Sequence, residues 1–105
     1  MNPRSVQVFW TPQAVADLEA IRNFIARDSP RYGELVTGTI RRAVRRLRAF
    51  PRSGRVVEEL ADPDIREVIV GTYRVVYYLR QGRAEILTVV HGAQDISAAE
   101  RPANP

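Results

Sequence analysis

Seven arginines and no acid fall between Leu35 and Val57: Arg41, Arg42, Arg45, Arg46, Arg48, Arg52 and Arg55. Three- and four-residue spacings on a helix line up Arg41, Arg45 and Arg48 on one face, with Arg42 and Arg46 beside them. Like charges so arranged repel by a few tenths of a kcal/mol per pair, and no intrahelical partner relieves them. Two uses fit such a stripe. It is a solvated face that also pairs with acids elsewhere, such as Glu58 or Glu59, or it is a docking surface for an acidic protein tail or a phosphate backbone.

Arginine is less expected within strands, yet Arg66 and Arg74 lie in strand-like runs. Along 73–80 the sides alternate, Tyr73, Val75, Tyr77 and Leu79 against Arg74, Val76, Tyr78 and Arg80. The second set is the more polar, so Arg74, Tyr78 and Arg80 are expected on the sheet face that helices leave open. An arginine beside tyrosines holds an anion or stacks on a base. The structural alternative is a cross-strand ion pair, for which Glu67 and Glu85 are available. His91 is the only histidine and titrates near neutrality when unperturbed. A metal-free ribonuclease needs a base, an acid and a cation on the phosphate, and Glu58 or Glu59, His91 and Arg74 offer that set. A histidine that merely ends the last strand fits the spacing as well.

Those residues need positioning elements. The run 6–10 (VQVFW) reads as a short strand. Thr11-Pro12 supplies a hydroxyl cap followed by proline at the first helical position. Ala14, Val15, Leu18, Ile21, Phe24 and Ile25 then form an apolar stripe that predicts a helix over about 12–27. Ser29-Pro30 repeats the start signal, and Leu35, Val36, Ile40, Ala43, Val44, Leu47 and Phe50 mark a second helix closed by Pro51. The segment 52–64 has no sustained period and reads as a loop. Strands follow over 65–70, 73–80 and 85–91, separated by the turn signals Gly71-Thr72 and Gln81-Gly82-Arg83. Phe9 and Trp10 are expected in the core. The fold class is α+β: an N-terminal strand, an antiparallel helical hairpin, then a three-stranded antiparallel meander.

Length and composition set the frame. The chain has 105 residues, 45% hydrophobic and 27% charged, which suits one domain folded over about 6–95, with loose ends at 1–5 and 96–105. No apolar run approaches a membrane span and no signal-peptide pattern precedes Val6, so a cytoplasmic protein is expected. Cysteine is absent, which removes disulfides, thiolate metal sites and cysteine nucleophiles; one histidine is too few for a His-rich metal site. No cofactor motif occurs. A net charge of +4 and a pI near 10.3 point to an anionic partner. All 16 basic residues are arginine, a bias that GC-rich coding explains, although the planar guanidinium also suits carboxylate and phosphate.

Several stretches taken in order resemble the RelE/ParE superfamily of bacterial type II toxin–antitoxin toxins, and its ParE branch in particular. They are Thr11-Pro12-Gln13-Ala14 with Asp17-Leu18 and Ile21, then Leu47-Arg48-Ala49-Phe50-Pro51 with Gly54-Arg55. Arg66-Glu67, Val70, Tyr73-Arg74-Val75-Val76-Tyr77 and Ile86-Leu87-Thr88-Val89-Val90-His91 complete the set, which spans about 8–95. The resemblance implies a helical hairpin on an antiparallel sheet. It also implies a toxin neutralised by a ParD-like antitoxin, whose ribbon-helix-helix dimer carries the complex onto operator DNA and whose C-terminal segment wraps the toxin. Candidate partner-binding residues are then Arg41, Arg42, Arg45, Arg46, Arg48, Arg66, Arg74, Tyr78 and His91. ParE-like toxins poison DNA gyrase without being enzymes, whereas RelE-like toxins cut mRNA on the ribosome. RelE-type chains carry an arginine about two residues before the strand-turn glycine and a tyrosine near the C-terminus; here Ile69 holds the first place and no tyrosine follows Tyr78. The Arg66-Glu67 placement looks like ParE. Gln94 departs from that branch, where many chains carry arginine.

Overall fold

The computed structural model describes residues 5–92. Its elements are β1 (Gln7–Trp10), α1 (Pro12–Ala26), α2 (Pro30–Arg46), β2 (Arg55–Val56), β3 (Ile65–Val70), β4 (Tyr73–Arg80) and β5 (Arg83–His91). Gln94 and the expected loose ends at 1–4 and 96–105 lie outside the described residues.

Both helices begin where the hydroxyl–proline pairs place them. The Thr11 hydroxyl accepts from the Ala14 N–H at 3.2 Å and donates to the Ile86 carbonyl at 2.7 Å, so one side chain caps α1 and ties it to β5. Ser29 accepts from the Tyr32 N–H at 3.1 Å to cap α2. The end of α2 comes sooner than Pro51 suggests: the helix stops at Arg46, residues 47–49 form turns, and the Arg48 carbonyl accepts from the Val6 N–H at 2.9 Å. The tail of the hairpin is thereby fastened to the start of β1.

The meander β3–β4–β5 is antiparallel throughout, as expected. The sheet around it corrects the expectation in two ways. It has five strands in the order β1-β5-β4-β3-β2, and β1 lies parallel beside β5. The stretch read as a loop contains β2, whose two residues pair with Arg66 and Glu67 at the opposite edge. Two residues are too few to show a period, and a parallel pairing across the whole chain leaves no turn signal. At the β4–β5 tip, Gln81 and Gly82 both have positive φ (50° and 73°), the mirror-image turn that matches the twist of the strands.

A main core fills the space between helices and sheet, with Leu18, Ile40, Val44, Leu47, Val75, Tyr77 and Ile86 at its centre. Half-buried Trp10 packs against it, as expected, but Phe9 is exposed beneath the Arg83 guanidinium, 5.6 Å from its ring centre. The apolar stripes are narrower than their sequences suggest, since Val15, Phe24, Leu35 and Phe50 are exposed. The far side of the sheet is not open. Val57, Ile65, Val76 and Leu87 form a second core, with Leu60, Tyr78 and Val90 against it. A bulge in β5 sets Val76 opposite Thr88 and Tyr77 opposite Ile86, leaving Leu87 as the extra residue. Asp17 on α1 holds this bulge, accepting from the Thr88 hydroxyl and from the Val89 N–H at 3.1 Å.

Candidate functional site

Arg74 sits on the side of β4 that alternation assigns, but the expectation of an available cation there is corrected by its surroundings. Its Nε donates to Glu67 at 2.5 Å, and its two terminal nitrogens donate to the Glu59 carboxylate at 2.9 and 3.1 Å. Glu67 faces it from the neighbouring strand and Glu59 closes from the 57–64 segment. Arg74 and Glu67 are both buried, and Arg55 reaches the second Glu67 oxygen at 2.9 Å. Hydrogen bonds donated to Glu59 and then to Glu67 push the guanidinium pKa above its already high value, against the opposing effect of burial. A buried arginine is tolerable only when paired in this way. Arg80 follows the same logic more loosely: Glu85 lies 3.5 Å away and the guanidinium covers the Tyr78 ring at 5.3 Å.

The nuclease set is therefore divided between two sides. Arg74 and Glu59 bind each other, and Glu58 is exposed on the rim of a groove of about 900 Å³ that also reaches Glu67 and Thr72. His91 stands opposite Tyr73 in the β4–β5 register and meets its ring edge-on at 5.9 Å. Tyr73 packs on the helix-side core, so His91 shares the side opposite Arg74. It lines a shallow groove with Phe24 and Val89 instead.

Arg66 is half-buried and donates to the Gly54 carbonyl at 2.8 Å. Next to it the Tyr77 hydroxyl donates to the Pro51 carbonyl at 2.7 Å and accepts from the Gly54 N–H at 3.0 Å. A side chain at Gly54 would bring its Cβ to 2.5 Å from that hydroxyl and 2.7 Å from the Glu67 carbonyl, so glycine is required by close approach. The Pro51, Gly54-Arg55 and Arg66-Glu67 stretches thus form one latch between the end of the hairpin and the sheet. Burial raises the Tyr77 pKa above its ordinary 10.0, outweighing the Gly54 hydrogen bond and the nearby Arg66 and Arg52 charges.

The α2 stripe is arranged otherwise. Arg41, Arg42, Arg45, Arg46 and Arg48 are all exposed. Glu59, one of the two acids proposed to neutralise them, is committed to Arg74 instead. Among the described residues no ion pair reaches the stripe; Arg42 donates to the Thr39 hydroxyl at 3.1 Å. Arg45 and Arg48 border a groove of about 430 Å³ floored by Val8, Trp10 and Val44 and rimmed by Phe9. This groove runs along β1, an edge strand. Phe9, expected in the core with Trp10, instead alternates with Val8 and Trp10 and lies beneath Arg83 on the other side of the sheet, because β1 takes a parallel seat beside β5 that leaves no local signal.

This fold, a capped helical hairpin on a five-stranded sheet, has relatives. A family model for the ParE toxin of the type II toxin–antitoxin system parDE matches residues 8–96. The chain belongs to the ParE toxin family. It is 36% identical over 89 residues to the toxin RelE2 of Caulobacter vibrioides, covering 84% of this chain and 97% of that protein. The ParE-family fold also recurs in the chromosomal ParDE system of P. aeruginosa (TM-score 0.71, 22% identity, 84% and 97% of the two chains). It recurs in the RelBE2 toxin–antitoxin complex of Mycobacterium tuberculosis (TM-score 0.57, 25% identity, 86% and 94%).

Proposed function

We propose that this ParE-family toxin acts by binding DNA gyrase, without catalysing a reaction itself, and that a ParD-like antitoxin keeps it silent. The observation that carries the reading is the state of Arg74. A nuclease built on this sequence needs that guanidinium free for a phosphate, and here two carboxylates occupy it while His91 lies on the opposite side of the sheet. The absence of the RelE-type arginine at Ile69 and of a late tyrosine supports the same view. The antitoxin segment is expected in the groove along β1, where Arg45 and Arg48 offer charge for its acids and Val8 and Trp10 offer apolar contact. Arg66, Tyr78 and His91 are weaker contact candidates, because each already serves the fold. In this reading the protein works in the cytoplasm and reaches operator DNA through the antitoxin.

A supercoiling assay tests the proposal: purified gyrase, relaxed plasmid and ATP, with the toxin titrated in, with and without its antitoxin. Loss of supercoiling or trapped cleaved DNA, reversed by antitoxin, is the expected result. Unimpaired gyrase at large molar excess of toxin counts against it. The second reading, a ribosome-dependent mRNA endoribonuclease, is favoured by the name of the Caulobacter relative. It requires mRNA cleavage on purified ribosomes, and a His91→Ala variant that stays folded and fully toxic would remove a nuclease built on His91.

A further inference from the structure

We propose that the antitoxin segment does not end in the β1 groove. It crosses a ridge at Val6 and sets a second apolar side chain in a pocket between the stretch 49–53 and the β4–β5 tip. This second anchor presupposes the reading above, an acidic antitoxin segment seated along β1.

The pocket has a volume of about 710 Å³. Val6, Pro51, Leu79 and Phe50 give it an apolar lining, and Phe50 is 58% exposed. Covering such surface favours association. Arg52, Arg80 and Arg83 complete the lining with three guanidinium groups, and no carboxylate joins them. Arg52 is exposed and has no ion pair among the described residues. Glu85, which Arg80 and Arg83 approach at 3.5 and 3.3 Å, lies outside the lining.

That combination selects the occupant. An apolar cavity among cations complements an acidic protein segment that carries one large apolar side chain. A phosphate backbone would meet the guanidinium groups and leave Phe50 and the aliphatic lining uncovered. A second copy of this chain brings a net charge of +4 to a site that is already cationic.

Continuity with the β1 groove identifies the segment. Gln7 and Arg48 line the groove, and their chain neighbours Val6 and Ala49 line the pocket. Between the two cavities the Val6 N–H donates to the Arg48 carbonyl at 2.9 Å, which fixes the ridge. Past Val6 the edge of β1 faces outward. The Gln7 and Thr11 N–H groups both point into the sheet, donating to the Gly82 and Ile86 carbonyls at 3.1 Å, so alternation turns the Val8 N–H outward. An extended chain can pair along such an edge. Strands rise about 3.3 Å per residue, which puts Val6 about 7 Å from Val8 and about 13 Å from Trp10. Val6, Val8 and Trp10 share one side of β1, so the partner's two anchors fall two or four residues apart, with acids beside them.

The test is surface plasmon resonance with immobilised antitoxin and full-length toxin variants, joined to an alanine scan of the antitoxin segment. Phe50→Ser/Arg52→Gln, which alters exposed positions and spares the core, should bind about 30-fold more weakly, chiefly through faster dissociation. Phe50→Leu, which keeps an apolar side chain there, should recover most of that loss. One antitoxin apolar residue, two or four positions from the residue seated in the groove, should cost as much when changed to alanine against the parent toxin. It should cost little more against Phe50→Ser/Arg52→Gln, because the two changes remove the same contact. Parent-like binding by Phe50→Ser/Arg52→Gln, while Arg45→Gln/Arg48→Gln weakens binding, overturns the second anchor and leaves the groove reading in place. A loss that couples to no apolar residue of the antitoxin also overturns it, since charge alone would then explain the contact. No effect of Arg45→Gln/Arg48→Gln removes the groove reading itself, and the second anchor with it.

Discussion

The arginine in β4 and the arginines on α2 share a side chain and differ in almost everything else. Arg74 is buried, held by Glu67 and by both oxygens of Glu59, and belongs to the fold. Arg42, Arg45 and Arg46 are exposed and reach no carboxylate among the described residues. The difference lies in the supply of acids. Glu58, Glu59, Glu67 and Glu85 all fall after residue 57, so the sheet neutralises its own cations and the helix retains a surplus. The structural arginines thus sit where counter-charge is within reach, and exposed charge is left where it runs out.

Breaking the buried half of that comparison has the largest expected effect. Arg74→Ala leaves Glu67 buried without its main partner and should cost about 3–5 kcal/mol, measured by urea unfolding. A cost below about 1 kcal/mol would show that the network contributes little to folding. Tyr77→Phe comes next: it orphans the Pro51 carbonyl and the Gly54 N–H and should cost about 1–2 kcal/mol.

The same tyrosine gives a pH signature. Its folded pKa is raised above 10.0, so the unfolded chain releases the proton first. The contribution is complete below pH 10 and is lost as pH rises through the folded value. Stability of the parent protein should fall above about pH 10 more steeply than that of Tyr77→Phe, read from unfolding curves at stepped pH. The smallest effect belongs to the exposed half. Arg42→Gln/Arg46→Gln should change stability by no more than about 0.5 kcal/mol, and toward greater stability because repulsion is relieved. A large loss there would mean that the stripe serves the fold after all.

Much of the fold was legible because local signals agreed. Thr11-Pro12 and Ser29-Pro30 mark both helix starts, and the turns at Gly71 and Gly82 bracket β3 and β4 at their observed ends. What escaped was non-local. The parallel seat of β1 beside β5 depends on Thr11 reaching Ile86, 75 residues away, and β2 is too short to carry a pattern. The site suffered from the same cause. Alternation put Arg74 on the correct side of β4, but nothing in the period revealed that Val57 and Leu60 would cover that side and bring Glu59 with them. The α2 stripe was readable because exposure and helical spacing are both local properties. The groove beside it was not, since Val8 and Trp10 line it only through the placement of β1.

The most direct test of the functional account is plasmid topology in cells in the first minutes after the toxin gene is induced, compared with the 5′ ends of cellular mRNA in the same samples. A gyrase-binding toxin predicts relaxed topoisomers or cleaved plasmid while mRNA ends stay unchanged. Unchanged topology together with new mRNA ends at ribosome-occupied codons would contradict the account and make the toxin a nuclease.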